Sequence, residues 1–151
     1  MHTVRLASVD DAPLVARLLH DFNTEFGSPT PGSAVLEARL RTLLAGGTTL
    51  AWLGGEPAEG IALVTLRTNV WFDGPVALLD ELYVAPDSRG QGIGAAMIAA
   101  LLEKARADGW ALVEVNVDEF DLDARRFYER HGFANTEPDS EERALYYSLE
   151  P

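Results

Sequence analysis

Residues Val84 to Gly94 read Val-Ala-Pro-Asp-Ser-Arg-Gly-Gln-Gly-Ile-Gly, and the fold turns on this stretch. A largely apolar run, Leu78 to Val84, stops at Pro86. Glycines then alternate at Gly90, Gly92 and Gly94, and an amphipathic helical pattern follows at once. Glycine lacks a Cβ, so the backbone can approach a ligand closely and take positive φ. The first turn of a helix carries unpaired N–H groups and the positive end of the helix dipole. Strand, glycine turn and helix start together predict an anion cradle, and its natural occupant is a pyrophosphate.

Three phosphate-binding patterns compete for this loop. A P-loop needs Lys and then Ser or Thr after its last glycine, and here Ala95-Ala96 follows. A dinucleotide loop fits only loosely. Gly90, Gly92 and Ala95 have G-x-G-x-x-A spacing, and Glu114 lies about 20 residues on. That loop comes past the middle of a 151-residue chain, which leaves no room for the remaining βα units. The third pattern is R-x-x-G-x-G, filled by Arg89, Gly92 and Gly94.

A second block supports the third pattern. Asp121, Ala124, Phe127, Tyr128, Gly132 and Phe133 stand in D-x-x-A-x-x-F-Y-x-x-x-G-F, one helix and one strand after the first block. The pair resembles the GNAT superfamily of acyl-CoA-dependent N-acyltransferases, whose late block looks like N-x-x-A-x-x-F-Y-x-x-x-G-F. Asp121 replaces the usual Asn. An amide donates to a pantetheine carbonyl, and a carboxylate cannot.

The earlier elements fall in the same family's order. His2 to Ala7 alternates as a strand. Asp10 or Asp11 caps a helix with Pro13 in its first turn and Leu14, Leu18, Leu19, Phe22 and Phe26 as its apolar stripe. A second helix spans about Ser33 to Ala45. Strands follow at about 48–53, 60–71 and 76–85. After the glycine loop come a helix to about Ala107, a strand through Val113, Val115 and Val117, and a short helix from about Asp123 to Arg130. Tyr146 to Leu149 reads as a last strand. The resemblance implies an α/β (α+β) GNAT fold over one domain, residues 1–151. Its mixed sheet has six to seven strands, splays between strands four and five, and is flanked by about four helices.

The same resemblance implies roles. Backbone N–H groups around Gly90, Gln91, Gly92, Gly94 and Ala95 hold the pyrophosphate of acetyl-CoA, and Arg89 adds a charge-assisted contact. Leu82, Tyr83 and Val84 offer main-chain groups to the pantetheine arm like one more strand. Asp121 falls at a pantetheine-contacting position, and Arg125 is the choice among Arg125, Arg126 and Arg130 for the 3′-phosphate. Tyr128 protonates the leaving thiolate. A thiol pKa near 8.5 and a phenol pKa near 10 make that transfer modestly uphill. Asp80 and Glu81 interrupt an apolar strand and can take a proton from an ammonium acceptor. Strand alternation lets only one of them face the cleft unless a bulge intervenes. Phe26, Asn69 and Trp71 fall where the family builds its acceptor cleft.

Composition narrows the partners. The net charge is −12, with −3 from 5 bases and 8 acids in residues 1–75 and −9 from 7 bases and 16 acids in residues 76–151. Such a surface repels nucleic acid and anionic membrane and attracts a cationic amine. Without cysteine there is no disulfide, Cys–zinc site or Cys acyl-enzyme. The three histidines have no metal spacing, so no metal is expected. No apolar run approaches membrane-spanning length and no leader pattern is seen, so a cytoplasmic location is the expectation. A homodimer is allowed by analogy with the family. The primary expectation is N-acetyl transfer from acetyl-CoA to a small cationic amine in a ternary complex. A non-catalytic CoA-binding or sensing domain of the same fold is the alternative, with a dinucleotide-binding protein behind it.

Overall fold

The computed structural model describes residues 2–151, which form two compact units divided in sequence between Val115 and Asn116. In the first unit, β1 (Val4–Leu6) leads through a 3-10 turn at Val9–Asp11 into α1 (Ala12–Glu25), followed by α2 (Ser33–Ala45). Then come β2 (Thr49–Gly54), β3 (Gly60–Arg67), β4 (Val76–Val84), α3 (Ile93–Asp108) and β5 (Leu112–Val115). The strand order is β1-β2-β3-β4-β5. Pairing is antiparallel up to β4 and parallel between β4 and β5. Parallel neighbours need a crossover, and α3 supplies it.

The sheet is covered on both faces. Ala51, Leu53, Ile61 and Tyr83 pack with Ala12, Val15, Ala16 and Leu18 of α1 and Leu40 of α2. On the opposite face, side chains built at Gly54 and Gly60 would meet Ile93 and Met97 of α3. Burying each large aliphatic side chain in these layers contributes roughly 1.5–3 kcal/mol. The start of α1 differs from the sequence reading. Asp11 precedes the helix without capping it. Its carboxylate instead accepts from the Ser8 N–H and from both terminal nitrogens of Arg5, each at 2.8 Å.

The second unit holds α4 (Leu122–Arg130). The strand expected at Tyr146–Leu149 does not form, so the described residues hold one sheet of five strands rather than six or seven. Tyrosine favours a pleated, half-buried surface, and here no ladder receives the Tyr146-Tyr147 pair. Tyr146, Tyr147 and Leu149 are exposed, and the one isolated bridge among the described residues is Thr136↔Arg143. Among the described residues no helix is long and apolar enough to cross a membrane.

Candidate active site

The β4–β5 ladder ends at Leu79↔Val115. Beyond it, Asp80 to Val84 run on with no partner strand on that edge among the described residues, while the β3 edge stays paired to Gly60↔Val84. This is the splay expected between strands four and five. It leaves the main-chain groups of Leu82 and Val84 facing the open edge, whereas Tyr83, with the same parity as Ala85, turns its own toward β3 and so departs from the expected main-chain contact. Ala85 N–H donates to Glu59 O on the β3 side at 2.8 Å. In a trans peptide the C=O points opposite to the N–H, so Val84 O faces the open edge.

The acid pair sits at an irregularity in β4. Leu63 pairs with Glu81 and Val64 with Leu79, which leaves Asp80 as an extra residue in a β-bulge. Paired residues share a face. Glu81 therefore shares the α1–α2 face with Leu63, two residues from Tyr83. Asp80 reaches that face too, because it accepts a 2.6 Å hydrogen bond from Thr65, whose partner on β4 is Leu78. Strict alternation would have separated the two carboxylates; the bulge brings them together. Burial pushes the Glu81 carboxyl above the ordinary range, and the adjacent Asp80 charge adds to the effect.

The glycine loop follows a 3-10 turn at Pro86–Ser88. Gly90 has φ +74° and Gly92 φ +92°, and Gly92 is the residue that caps α3. No side chain caps that helix start. Ala96 N–H is spent on Gly92 O at 3.0 Å. The N–H groups of the first turn, Ile93, Gly94 and Ala95, have no acceptor within the helix. Nothing lies within 4 Å of where a Cβ on Gly90 would be, and the nearest atom to one on Gly92 is the His2 ring at 3.6 Å. Open backbone, uncapped amides and a helix dipole together fit a pyrophosphate. His2 Nε2 hydrogen-bonds Gln91 O, and Gln91 Nε2 donates to Asp87 O at 3.3 Å.

Arg89 is the surprise of this loop. Its Nε donates to Val84 O at 2.8 Å, on the open edge of β4. Its two terminal nitrogens meet the two carboxylate oxygens of Glu25 at 2.8 Å each. The guanidinium also lies 5.6 Å from the Tyr83 ring centre and 5.9 Å from that of Phe26. Tyr83 stacks on Phe22 with centroids 5.0 Å apart and donates its hydroxyl proton to Glu25 at 3.2 Å. Arg89 holds the Glu25 carboxyl below its usual range. Burial, and then the bond to Glu25, push the Tyr83 phenol up.

The three residues expected to line an acceptor cleft lie outside the sheet, Phe26 after α1 and the other two after β3. Phe26, exposed at the end of α1, belongs to the Arg89 cluster. β3 ends at Arg67, so Asn69 and Trp71 lie in the loop beyond it instead of closing the strand. Asn69 accepts from Trp71 N–H and Phe72 N–H at 2.8 Å each and donates to Gly74 O at 3.2 Å, which fixes the loop. At ~3.3 Å per residue, the Arg67↔Val76 end of the ladder is about 13 Å along β4 from Asp80.

In the second unit the Asp121 carboxylate accepts from Ala124 N–H at 3.0 Å and caps α4. Arg125 donates to Glu119 O at 2.9 Å. Tyr128 is half-buried, with its ring edge-on to Phe127 at 5.3 Å and to Phe133 at 5.5 Å. Phe127 also packs on His131 at 4.4 Å, and so fills the local apolar role beside Tyr128. The sequence reading missed Glu25. It ends a helix 64 residues before Arg89, and no spacing rule links the two.

Comparison with known proteins narrows what these parts amount to. A candidate acetyltransferase of Arthrobacter sp. FB24, solved as a crystal structure, is 54% identical, with 98% of this chain and 95% of that one covered at a TM-score of 0.92. An aminoalkylphosphonate N-acetyltransferase of Salmonella typhimurium is 42% identical over 84 residues, 56% of this chain and 54% of that one. An aminoglycoside N(6')-acetyltransferase type 1 of Serratia marcescens is 38% identical over 73 residues, 48% of this chain and 47% of that one. The chain spans about half the length, or less, of the curated relatives it matches first. A family model described as "Acetyltransferase (GNAT) family" matches residues 15–133, a stretch that takes in the bulged strand, the glycine loop and the Tyr128 helix alike. The chain belongs to the GNAT acetyltransferase family.

Proposed function

We propose that residues 1–151 act as one N-acetyltransferase domain that moves an acetyl group from acetyl-CoA to a small cationic amine by direct transfer. The observation that carries this reading is the bulge at Asp80, which gathers two carboxylates on one face just before the open edge of β4. Two acids on the strand that leads into the glycine loop suit an acceptor that arrives as an ammonium ion and must leave its proton behind. The −9 charge of residues 76–151 raises the local concentration of such a cation.

The chemistry balances on this chain's own groups. Glu81, with Asp80 beside it, takes a proton from the ammonium directly or through water. The freed amine lone pair forms the C–N bond as the thioester C–S bond breaks, and the second N–H proton released on amide formation replaces the one that Tyr128 gives up, so amide and thiol both leave neutral. Main-chain N–H at Val84 polarises the thioester carbonyl. Tyr128 gives its phenolic proton to the departing thiolate. The amides of the Gly90–Ala95 loop hold the pyrophosphate, and Arg125 is the candidate for the 3′-phosphate. The family supplies acetyl-CoA as the co-substrate, whose thioester provides the activated acetyl group.

A thiol-release assay with acetyl-CoA against a panel of amines tests this. We expect polyamines, aminoglycosides and other cationic amines to be acetylated, with kcat/KM falling as salt is added. Tight CoA binding with no thiol release for any acceptor would leave only a CoA-binding domain. Neutral or acidic acceptors outperforming amines, with no salt dependence, would overturn the electrostatic part.

A further inference from the structure

We propose that Glu25 is a positioning residue: through Arg89 it ties the end of α1 to the glycine loop, and so sets Phe26 on the acceptor side against the cofactor side. This rests on the acetyltransferase reading above. It also gives Arg89 a different task from the pyrophosphate contact that the sequence suggests.

The geometry is a closed brace. Arg89 grips Val84 O with one nitrogen and both oxygens of Glu25 with the other two. The planar fork of a guanidinium matches a carboxylate in this two-point manner, and a lysine cannot reproduce it. The Tyr83 hydroxyl adds a third contact to Glu25, and the Tyr83 and Phe26 rings both stand within 6 Å of the guanidinium carbon. A pyrophosphate could recruit Arg89 only by stripping it from this cluster, whereas the loop amides need no such exchange.

The position of Glu25 is itself informative. It is the last residue of α1. The C-terminal end of a helix carries negative partial charge and disfavours a carboxylate. Glu25 stands against that local preference, and Arg89 is the charge that offsets it. Its chain neighbour is Phe26, the exposed aromatic of the acceptor side. A pair joining residues 25 and 89 therefore couples the two substrate sides through one guanidinium.

The test is a double-mutant cycle on the full chain, with Glu25→Gln, Arg89→Gln and both together. CoA binding is read by titration calorimetry, and acceptor KM and kcat are read by thiol release. We expect CoA affinity within about twofold of wild type in all three. Acceptor KM should rise roughly tenfold in each single variant, the order expected for losing a charge-assisted hydrogen bond, and no further in the double. Arg89→Lys should behave like Arg89→Gln. In a Phe26→Ala background, Glu25→Gln should lose its effect on KM, which a purely structural brace would not do. Arg89→Gln weakening CoA tenfold while Glu25→Gln tightens it would identify Arg89 as a phosphate ligand and overturn the proposal. Unchanged acceptor KM in Glu25→Gln would overturn it equally. If wild type releases no thiol with any amine, the acetyltransferase reading fails, while the CoA titrations still decide the role of Arg89.

Discussion

Replacing Gly92 by alanine should separate backbone strain from ligand binding. Gly92 has φ +92° where it caps α3, a conformation L-residues rarely adopt. A Cβ there would meet only the His2 ring, at 3.6 Å, which is ordinary contact. The cost is therefore conformational, about 1–2 kcal/mol. For a chain of this size it lowers Tm by roughly 2–8 °C. Gly47 provides the control. Its φ is +82°, nothing lies within 4 Å of its missing Cβ, and it precedes the opposite end of β2 from Gly54. Gly47→Ala should lose similar stability and leave CoA binding untouched. Gly92→Ala should lose that stability and also about tenfold or more in CoA affinity, because relaxing φ turns the loop amides away from the anion. Thermal melts and calorimetric CoA titrations of both variants decide the matter. A Gly92→Ala protein that binds CoA like wild type would show that the loop amides are not the anion holder. One that melts like wild type would refute the strain argument.

Burial and Asp80 raise the Glu81 pKa, so activity should climb with pH along a limb lying above the ordinary carboxylate range, and Glu81→Gln should remove that limb from kcat/KM. Stability has the opposite sign. A raised folded-state pKa means that the native state favours the protonated acid, and this contribution fades as pH rises through the raised value. Glu81→Gln should therefore gain on wild type in Tm between acidic and neutral pH, a trend visible in paired melts. Tyr128→Phe keeps the ring and removes the proton, so turnover should fall roughly 10²–10⁴-fold with little change in CoA affinity; wild-type turnover would retire the general-acid role. Asp121→Ala removes the α4 cap and should cost about 1 kcal/mol in chemical denaturation, whereas Asp121→Asn should keep most of it.

Much of this architecture is legible because local rules and tertiary packing agree. α2 falls at Ser33–Ala45, as its leucine spacing and the following glycine pair imply. The glycine loop falls between β4 and α3, where three alternating glycines and Pro86 place it. Asp121 departs from the family's Asn and still does the helix-capping work for which both side chains suit. What stayed hidden is non-local. Tyr146 to Leu149 has strand-forming residues, but a strand exists only where an edge receives it. Asp11 has the chemistry of a helix cap, yet Arg5 and the Ser8 N–H take its carboxylate. Arg89 matches the phosphate motif, and only the folded chain reveals Glu25 beside it.

The bulge at Asp80 ties the reading frame of β4 to its chemistry. From Val76 to Leu79 the strand keeps one parity, with Leu79 opposite Val64; from Glu81 to Val84 it keeps the other, with Tyr83 opposite Ile61. Deleting one residue here would do more than remove a carboxylate. It would exchange Leu82 and Tyr83 between the faces, turning a phenol toward α3 and withdrawing the ring from Phe22. The strand thus tolerates substitution at Asp80 far better than it tolerates shortening. The two acids can diverge in identity as acceptors change, while the residue count between Leu79 and Tyr83 stays fixed by the packing of both layers.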